Sequence, residues 1–487
     1  MGIGWRLHGD GRTPPPGEVV RPGERLTWPR TAGIGVQHVV AMFGATFVFP
    51  LMMGLDPNLS IMMSGVATIL FLLVVGGRVP SYLGSSASFV GAVAAIRAAG
   101  GDSATVTGAI LVSGAVLAAV GLVIHFLGAQ VVHRVFPPVV TGAVVMLIGF
   151  NLAPVVATTY WPQDQWVGLA TLVFAVLSTV LLRGFWSRVS ILLALVFGFA
   201  LSWVLDHTAG KITSVLPGQN LLDASGRPCP AEGPYCVATA FPHHRVDFSG
   251  VSHADWFGFP SLHAPGFTAS AILLALPPVI ALIAENTGHV KAVAAMTGEN
   301  LDPVMGRALA ADGVATVLAT GVGGSPTTTY AENIGVMAAT RIYSTAAYYV
   351  AAVVAILFGL CPKFGALVAA TPGGVLGGIT VVLYGMIGLL GAKIWIENRV
   401  DFADPVNLVP VAAAMILAIG GVTLSITDDF PLGGIAFGTV AVLVFYHLLN
   451  ALGGRRGPAD AGRGIIAPDE DEVGGPVRPP TRPRAAD

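Results

Sequence analysis

Charged residues are scarce in this 487-residue sequence, at only 11% of the chain. In a typical soluble domain about a quarter of the residues are charged. Hydrophobic residues reach 54%, and a soluble fold cannot bury that much apolar surface. The net charge of -2 also excludes the broad basic face that binds nucleic acid. We therefore expect a membrane-embedded protein in contact with the lipid bilayer, with no nucleic-acid partner.

Cysteine is equally scarce, with three residues. No cluster of cysteine and histidine has the spacing of a metal site, so no metal or other cofactor is expected. No nucleophile elbow or nucleotide-binding motif indicates an enzyme. Cys229 and Cys236 lie in a long polar connection, where either a disulfide or two free thiols would be compatible with the sequence. Cys361 is expected to pack in the apolar interior.

Apolar runs of about twenty residues, the length that crosses a bilayer, recur along most of the chain. No cleavable signal peptide is expected, because the first thirty residues are polar and the first apolar run starts at Thr31. Splitting the runs at glycine, proline and charged residues predicts fourteen transmembrane segments. The first seven are expected near 31–53, 58–76, 82–98, 105–128, 135–153, 165–183 and 189–206. The second seven are expected near 268–290, 306–320, 326–340, 343–361, 368–391, 405–424 and 430–450.

The placement of lysine and arginine predicts the orientation, because cytoplasmic loops carry an excess of both. With a cytoplasmic N-terminus, 20 of the 25 basic residues fall on the inside. Both termini are then cytoplasmic in a multi-pass protein of the cytoplasmic membrane. The loop at 207–267 is extracellular, and the tail at 451–487, rich in proline and charge, is expected to be disordered.

A sequence pattern that occurs twice, about half a chain apart, predicts two halves of seven segments. A Pro-Pro-Val-Val-Thr-Gly stretch after Phe136 opens the fifth segment, and Thr371-Pro-Gly-Gly-Val-Leu-Gly opens the twelfth. Because seven is odd, the second half would be inverted relative to the first, as in many transporters. The alternative is that helices often start with proline and glycine. The stretches at 80–89 and 321–333, which interrupt the third and tenth segments, are rich in small and hydroxyl residues, so we expect short extended stretches leading into half-helices.

Ionisable side chains inside apolar segments are informative, because each costs about 2.5 to 3.5 kcal/mol at the centre of a membrane helix. The clearest are His38, Glu285, His289 and Glu332. Glu285 and His289 are four residues apart, so they share a helix face and could exchange a proton. The alternative is a helix that ends near His289, with both residues at the water boundary. The long apolar run before Glu285 favours the functional interpretation.

Glu332 and Asn333 begin a half-helix, where the helix N-terminus favours an anion. A substrate or proton role is therefore weighed against an ordinary capping carboxylate. Gln37 and His38 lie one turn inside the first segment, where an interhelical hydrogen bond explains them as well as a binding site does. Tyr330 could stack on a planar ligand or could simply pack.

Five stretches resemble motifs of the nucleobase/ascorbate transporter family, also called nucleobase cation symporter-2. The most specific carries glutamate, asparagine, glycine, threonine and arginine at the family's spacing. The stretches are Glu332-Asn333-Ile-Gly335-Val-Met-Ala-Ala-Thr340-Arg341, Gln37-His38-Val-Val-Ala-Met-Phe-Gly-Ala-Thr46, Val79-Pro80-Ser-Tyr-Leu-Gly84-Ser85-Ser86, Ala284-Glu285-Asn-Thr-Gly288-His289 and Gly324-Ser325-Pro326-Thr-Thr-Thr-Tyr330. The resemblance covers about residues 25–450, and the residues of these motifs are most similar to those of bacterial uracil and pyrimidine permeases.

The resemblance implies an all-α polytopic membrane fold, a seven-plus-seven inverted repeat divided into a core and a gate domain, and often a homodimer. The implied divisions are a tail at 1–30, core at 31–134, gate at 135–206, a loop at 207–267, core at 268–361, gate at 368–450 and a tail at 451–487. Proton-coupled symport of uracil or a related pyrimidine by alternating access follows, with a purine or xanthine permease as the alternative.

The resemblance also implies roles for individual residues. Glu285 and Glu332 would bind the base and take part in proton coupling, with His289 in support. Backbone amides at Ala87 and Ala331 would hold ring oxygens. The other residues carried over from the motifs are Tyr330 in the binding site and Gln37, His38, Asn333 and Ser86 in support. The uracil carriers have phenylalanine at the position of Ala87 and glycine at that of Ala331, which leaves the pocket size and the preferred base open.

Overall fold

The computed structural model describes residues 4–12, 14, 18–216, 221–223, 236–238, 240–427 and 430–452. Helices dominate the described residues. Those of the first half are α1 (Trp28–Ala41), α2 (Phe43–Met53), α3 (Pro57–Val74), α4 (Val90–Ala98), α5 (Ser103–Leu127), α6 (Gln130–Val135), α7 (Pro138–Phe150), α8 (Ala153–Val155), α9 (Gln165–Leu181), α10 (Phe185–Arg188) and α11 (Ser190–Thr208). Those of the second half are α12 (Ser249–His253), α13 (Ala269–Ala275), α14 (Pro278–Thr297), α15 (Asp302–Gly321), α16 (Ala331–Thr340), α17 (Thr345–Gly359), α18 (Pro362–Ala369), α19 (Gly373–Glu397), α20 (Pro405–Ile419) and α21 (Gly434–Leu452).

The strands of the described residues are short and form two-stranded pairs. The pairs are β1 (Arg6–Leu7) with β2 (Glu24–Arg25), β3 (Leu83–Ser85) with β8 (Thr327–Thr329), β4 (Ile212–Ser214) with β7 (Phe241–His243), β5 (Leu221–Asp223) with β6 (Cys236–Ala238), and β9 (Thr423–Thr427) with β10 (Phe430–Gly433). Only the first pair is parallel. Single turns of other helix types lie at Ala87–Phe89 (3₁₀), Val156–Tyr160 (π) and Trp161–Gln163 (3₁₀).

Eight helical stretches within the described residues are long and apolar enough to cross a membrane, or nine if the pair α17 and α18, bent by 82°, counts as one. The chain is therefore a multi-pass membrane protein. Each of the fourteen predicted segments contains a helix, but α4, α9, α16 and α20 are too short to qualify as full spans, and α15 is not among the stretches that qualify. The count of fourteen crossings, the inverted repeat and the core and gate division stay predictions.

The helix breaks are more numerous than the sequence predicts. The expected interruptions in the third and tenth segments are present as β3 and β8. The first predicted segment is also divided, at Met42, and the eighth is divided between α13 and α14. At this second break Pro277 and Pro278 lack the N–H groups that a continuous helix needs.

Strands β3 and β8 form a buried antiparallel pair, and each leads into a half-helix. Leu83 pairs with Thr329 and Ser85 with Thr327. The Ser85 hydroxyl lies 2.7 Å from that of Ser325, and the Tyr330 hydroxyl donates a hydrogen bond to the Ser85 carbonyl. Because all six strand residues are buried, their backbone groups need these partners. The pairing brings the starts of the two half-helices, α4 and α16, close together.

Glycine allows two pairs of long helices to approach closely. On α5 a Cβ at Gly121 would lie 2.2 Å from the Ala310 nitrogen of α15, and on α7 a Cβ at Gly149 would lie 2.3 Å from the Gly388 nitrogen of α19. Small residues at such contacts are typical of membrane helix pairs. This packing accounts for part of the high glycine content of the apolar segments.

The N-terminal segment is folded against the membrane domain. The Val20 N–H donates to the Arg341 carbonyl at 2.9 Å, and the Tyr343 N–H donates to the Val20 carbonyl at 2.8 Å. Val20 is completely buried. Burial alone would raise the pKa of Glu24, but hydrogen bonds from the Arg21 backbone and from His8 outweigh it and hold that pKa below its usual value. The predicted tail at 1–30 is therefore tied to the chain just after α16.

A buried ion cluster organises the predicted extracellular loop. Arg245 donates to Asp164 at 2.7 Å and to Asp206 at 3.1 Å. The three side chains are 12%, 8% and 6% exposed. Asp164 also caps α9 by accepting from the Val167 N–H, so the cluster joins the loop to the ends of α9 and α11. Cys229 lies outside the described residues, so its bridge to Cys236 stays a prediction, whereas Cys361 is free.

Candidate functional site

A small cavity lies where the two half-helices meet α14. Its polar wall combines side chains that lie far apart in the sequence: Glu285 and His289 from α14, Glu332 from α16, and Tyr330 immediately before α16. Ala87 and Ala331 also line it. The structure thus brings together every residue that the sequence analysis assigns to substrate binding or proton coupling.

The two alanines stand at helix starts. Ala87 begins the 3₁₀ turn, and the hydroxyl of the preceding Ser86 accepts a hydrogen bond from the Ser88 N–H at 3.3 Å. Ala331 is the first residue of α16. The first N–H groups of a helix have no partner within the helix. Both positions can therefore present backbone donors to the cavity, and Ser86 acts on the geometry of the turn.

The opposite wall of the cavity is apolar. Val145 and Ile148 from α7 and Ile387 and Leu390 from α19 form this wall, and Ala45 and Phe49 from α2 add apolar lining beside it. No lysine or arginine occurs among the described residues that line the cavity. The site therefore combines two carboxyl groups and hydrogen-bonding groups on one side with a hydrocarbon surface on the other, an arrangement suited to a flat, uncharged ligand.

A chain of hydrogen bonds fixes the histidine of the site. The Nδ2 of Asn286 donates a hydrogen bond to Asp312 at 2.7 Å. This fixes the Oδ1 of Asn286 in a position where it accepts a hydrogen bond from the Thr329 hydroxyl. The Thr329 oxygen then accepts from His289 Nδ1 at 2.8 Å. With Nδ1 as the donor, Nε2 is the ring nitrogen that remains for a proton or a ligand.

Asp312 is a residue that the sequence analysis missed. It lies on α15, is fully buried, and its Oδ1 has no partner among the described residues. The available signal was a single carboxylate within the otherwise uncharged stretch from Ala308 to Thr320. Because glycines and threonines weakened the prediction of that segment, the carboxylate did not stand out as intramembrane.

The remaining predicted residues stand behind the cavity and not in its wall. His38 is fully buried and lies 2.7 Å from Asn333 Oδ1, which can only accept, so His38 Nδ1 donates. Its ring also lies on Tyr348, with centroids 4.4 Å apart. Gln37 is buried, and its Nε2 has no partner within the described part of the chain. His38 and Asn333 thus support the backbone beside Glu332.

The cavity is nearly closed in this structure. Its volume is about 30 Å³, whereas pockets for drug-sized ligands occupy about 300 to 1,000 Å³. A ring-sized ligand therefore needs the apolar wall of α7 and α19 to move away from the polar wall. The described residues contain no group of three or more His, Cys, Asp or Glu side chains that could hold a metal ion.

Comparison with known proteins gives consistent matches over most of the chain. The model of a family described as "Permease family" matches residues 30–427. RutG, a candidate pyrimidine permease of Escherichia coli (strain K12), is 45% identical over 445 residues, which cover 90% of this chain and 92% of that protein. The uracil permease of Bacillus caldolyticus is 33% identical, covering 85% of this chain and 91% of that protein.

Among solved structures, the transmembrane domain of the cyanobacterial bicarbonate transporter BicA matches with a TM-score of 0.53 at 14% identity. The match covers 86% of this chain and 96% of that chain. At so low an identity, the likeness concerns the fold alone.

Proposed function

The chain belongs to the permease family, that is, to the nucleobase/ascorbate transporters, and on this premise we propose that it carries uracil or a related pyrimidine together with protons. Members of this family are transporters and not enzymes. The names of the relatives RutG and the uracil permeases support a nucleobase substrate. We also propose that the chain resides in the cytoplasmic membrane with both termini inside, and that it forms a homodimer.

The observation that carries the proposal is that Glu285 and Glu332, from separate helices, line one cavity within the membrane domain. Uracil presents N–H donors and carbonyl acceptors in one plane. Carboxyl groups can accept from the donors, and the backbone N–H groups of Ala87 and Ala331 can donate to the carbonyls. A neutral base needs no basic partner, in keeping with a wall that holds two carboxyl groups.

Proton coupling would follow from the cost of charge in the membrane. A carboxylate at mid-membrane is expensive, and protonation removes the charge. Glu285 and Glu332 would exchange protons during the cycle, and His289 would offer Nε2 to a proton while Thr329 holds its Nδ1. Movement of the core carrying these residues is easier when the site is neutral, so proton binding and transport are linked.

Alternating access would use the two walls of the cavity. The polar wall belongs to the helices assigned to the core, and the apolar wall, formed by α7 and α19, belongs to those assigned to the gate. An apolar wall makes no directional bonds to the base, so it can slide past the core at little cost. Separation of the walls on one side and then on the other would admit and release the base.

Uptake of radiolabelled uracil into proteoliposomes with an imposed pH gradient tests the proposal. We expect uptake to collapse when a protonophore is added, and to fall at least tenfold in Glu285→Gln and Glu332→Gln. Glu397→Gln is the matched control, since Glu397 is 60% exposed at the end of α19 and should leave uptake unchanged. Uptake that ignores the protonophore, or that survives both substitutions in the cavity, contradicts the coupling.

A purine or xanthine permease is the second candidate, and the relatives' names give it less support. Competition of uracil uptake by unlabelled thymine, xanthine and hypoxanthine ranks the bases. An anion carrier of the same fold is disfavoured, because such a site should present a cation, and the cavity presents Glu285 and Glu332.

A further inference from the structure

A second cavity, of about 220 Å³, lies beyond one end of the candidate site. Three elements lead from the first cavity to the second. The helical stretch after Ala87 reaches Gly91, α7 continues from Ile148 to Asn151, and α14 leads from Glu285 back to Pro278. These steps are three to seven residues long, which corresponds to roughly 5 to 10 Å of helix. The cavities therefore lie in series along the same helices.

The predicted orientation places the second cavity on the extracellular side. The hairpin of β9 and β10 and the first turn of α21 cover it, contributing Thr423 and Gly434 to its lining. It is several times larger than the candidate site, and its volume lies below the range of about 300 to 1,000 Å³ typical of drug-sized ligands. Its volume suits a ligand as small as a single pyrimidine ring.

Two polar side chains among the described residues line this second cavity, the Thr423 hydroxyl and the Asn151 carboxamide, and only the carboxamide carries its donor and its acceptor on separate atoms. Most of the lining is glycine, alanine, proline or aliphatic, and Asn151 is the amide among the described lining residues. The backbone N–H of Asn151 bonds to Leu147, and no described residue hydrogen bonds to its carboxamide. Within the described part of the chain, the carboxamide is therefore available to a ligand.

Two glycines keep space around that carboxamide. A Cβ at Gly91 would lie 3.4 Å from Asn151 Nδ2, and a Cβ at Gly434 would lie 3.0 Å from Asn151 Oδ1. Gly434 also has a φ of +55°, which L side chains rarely adopt. Side chains at these positions would crowd the amide from both the α4 side and the α21 side.

We infer that Asn151 binds the base in a staging subsite that the substrate occupies before it reaches Glu285 and Glu332, an inference that rests on the proposed function. A carboxamide places a donor and an acceptor side by side, matching the adjacent C=O and N–H of a pyrimidine ring, as asparagine matches the edge of adenine in DNA recognition. A ligand without such an edge gains nothing there. Asn151 is therefore a specificity-determining residue at the entrance of the pathway.

The test is uracil influx into proteoliposomes by the full-length protein and by Asn151→Leu, which keeps the size and removes both hydrogen-bonding groups. We expect KM to rise about tenfold, with a change in maximal rate of less than twofold. Competition by uracils methylated at either ring nitrogen should differ between the two methyl positions for the wild type, and should differ less for Asn151→Leu. Asn407→Leu is the matched control. The Asn407 side-chain amide donates a hydrogen bond to the backbone carbonyl of Asp401, just before α20, and Asn407 does not line the second cavity.

Asn151→Asp serves as the second variant if Asn151→Leu melts at a lower temperature than the wild type, since aspartate keeps the shape and loses the N–H donors. It should show the same rise in KM. An unchanged KM in a folded variant, or a change confined to the maximal rate, overturns the staging role. Absence of uracil uptake by the wild-type protein overturns the proposed function instead, so the two failures are distinguishable.

Discussion

Asn286 on α14 donates a hydrogen bond to Asp312 on α15 at 2.7 Å, directly behind the wall that holds Glu285 and His289. Asn286 is 2% exposed and Asp312 is fully buried. Through Thr329 the same amide also fixes His289. One buried asparagine therefore joins a hidden carboxylate to the histidine of the candidate site.

Replacing Asn286 with leucine should destabilise the protein by about 1 to 3 kcal/mol for each polar group that loses its partner. Thermal melting of the purified protein measures the loss. The double variant Asn286→Leu with Asp312→Leu should recover part of it, because the orphaned carboxylate is then absent. A double variant that melts no higher than the single variant contradicts the pairing.

Gly84→Ala should destabilise the pairing of β3 and β8. A Cβ at Gly84 would lie 2.5 Å from Cε2 of Tyr330, and overpacking of this kind costs about 1 to 3 kcal/mol. Gly335→Ala is the control, since nothing lies within 4 Å of its added Cβ and alanine favours a helix by about 1 kcal/mol. Melting temperatures should move in opposite directions, and a Gly84→Ala protein that melts like the wild type shows that the ring adjusts freely.

Arg245→Gln should be strongly destabilising, because it leaves Asp164 and Asp206 buried without a cation. Breaking a buried ion pair from one side costs about 3 to 5 kcal/mol. Arg12→Gln is the control, because it breaks the ion pair between Arg12 and Asp10, whose side chains are 75% and 69% exposed, respectively. Exposed pairs of this kind contribute about 0 to 1 kcal/mol. Equal melting temperatures of the two variants would show that the loop does not depend on the cluster.

Val20→Asp should lower the melting temperature, because it places a charge at a fully buried position. The cost should be roughly 2 kcal/mol or more. Leu7→Asp, at a position that is 48% exposed in the same N-terminal segment, should have little effect. The two melting temperatures test whether the N-terminal segment packs against Arg341 and Tyr343. If Val20→Asp melts like Leu7→Asp, the segment does not pack there.

Local pattern was sufficient to locate most helices and both extended stretches. Apolar run length indicated the spans, and the density of Gly, Ser and Thr indicated β3 and β8, because both signals are short in range. The division of the eighth segment was missed because Pro277 and Pro278 are compatible with a kink as well as with a break. The folded N-terminal segment was missed because its contacts to residues 341–345 join backbone groups to each other or to the hydroxyls of Ser344 and Thr345, and such contacts leave little pattern in the N-terminal residue types.

The sequence by itself determined that this is a membrane protein with a few costly ionisable groups, since hydropathy and charge act on each residue regardless of its partners. It also indicated the family by motif, and it predicted roles for Glu285 and Glu332. Only the tertiary structure decided that these carboxyl groups line one cavity, that Asp312 stands behind them, and that Asn151 lines a second cavity. Such relationships depend on which helices pack side by side, and the physics of packing couples residues that are distant in the chain.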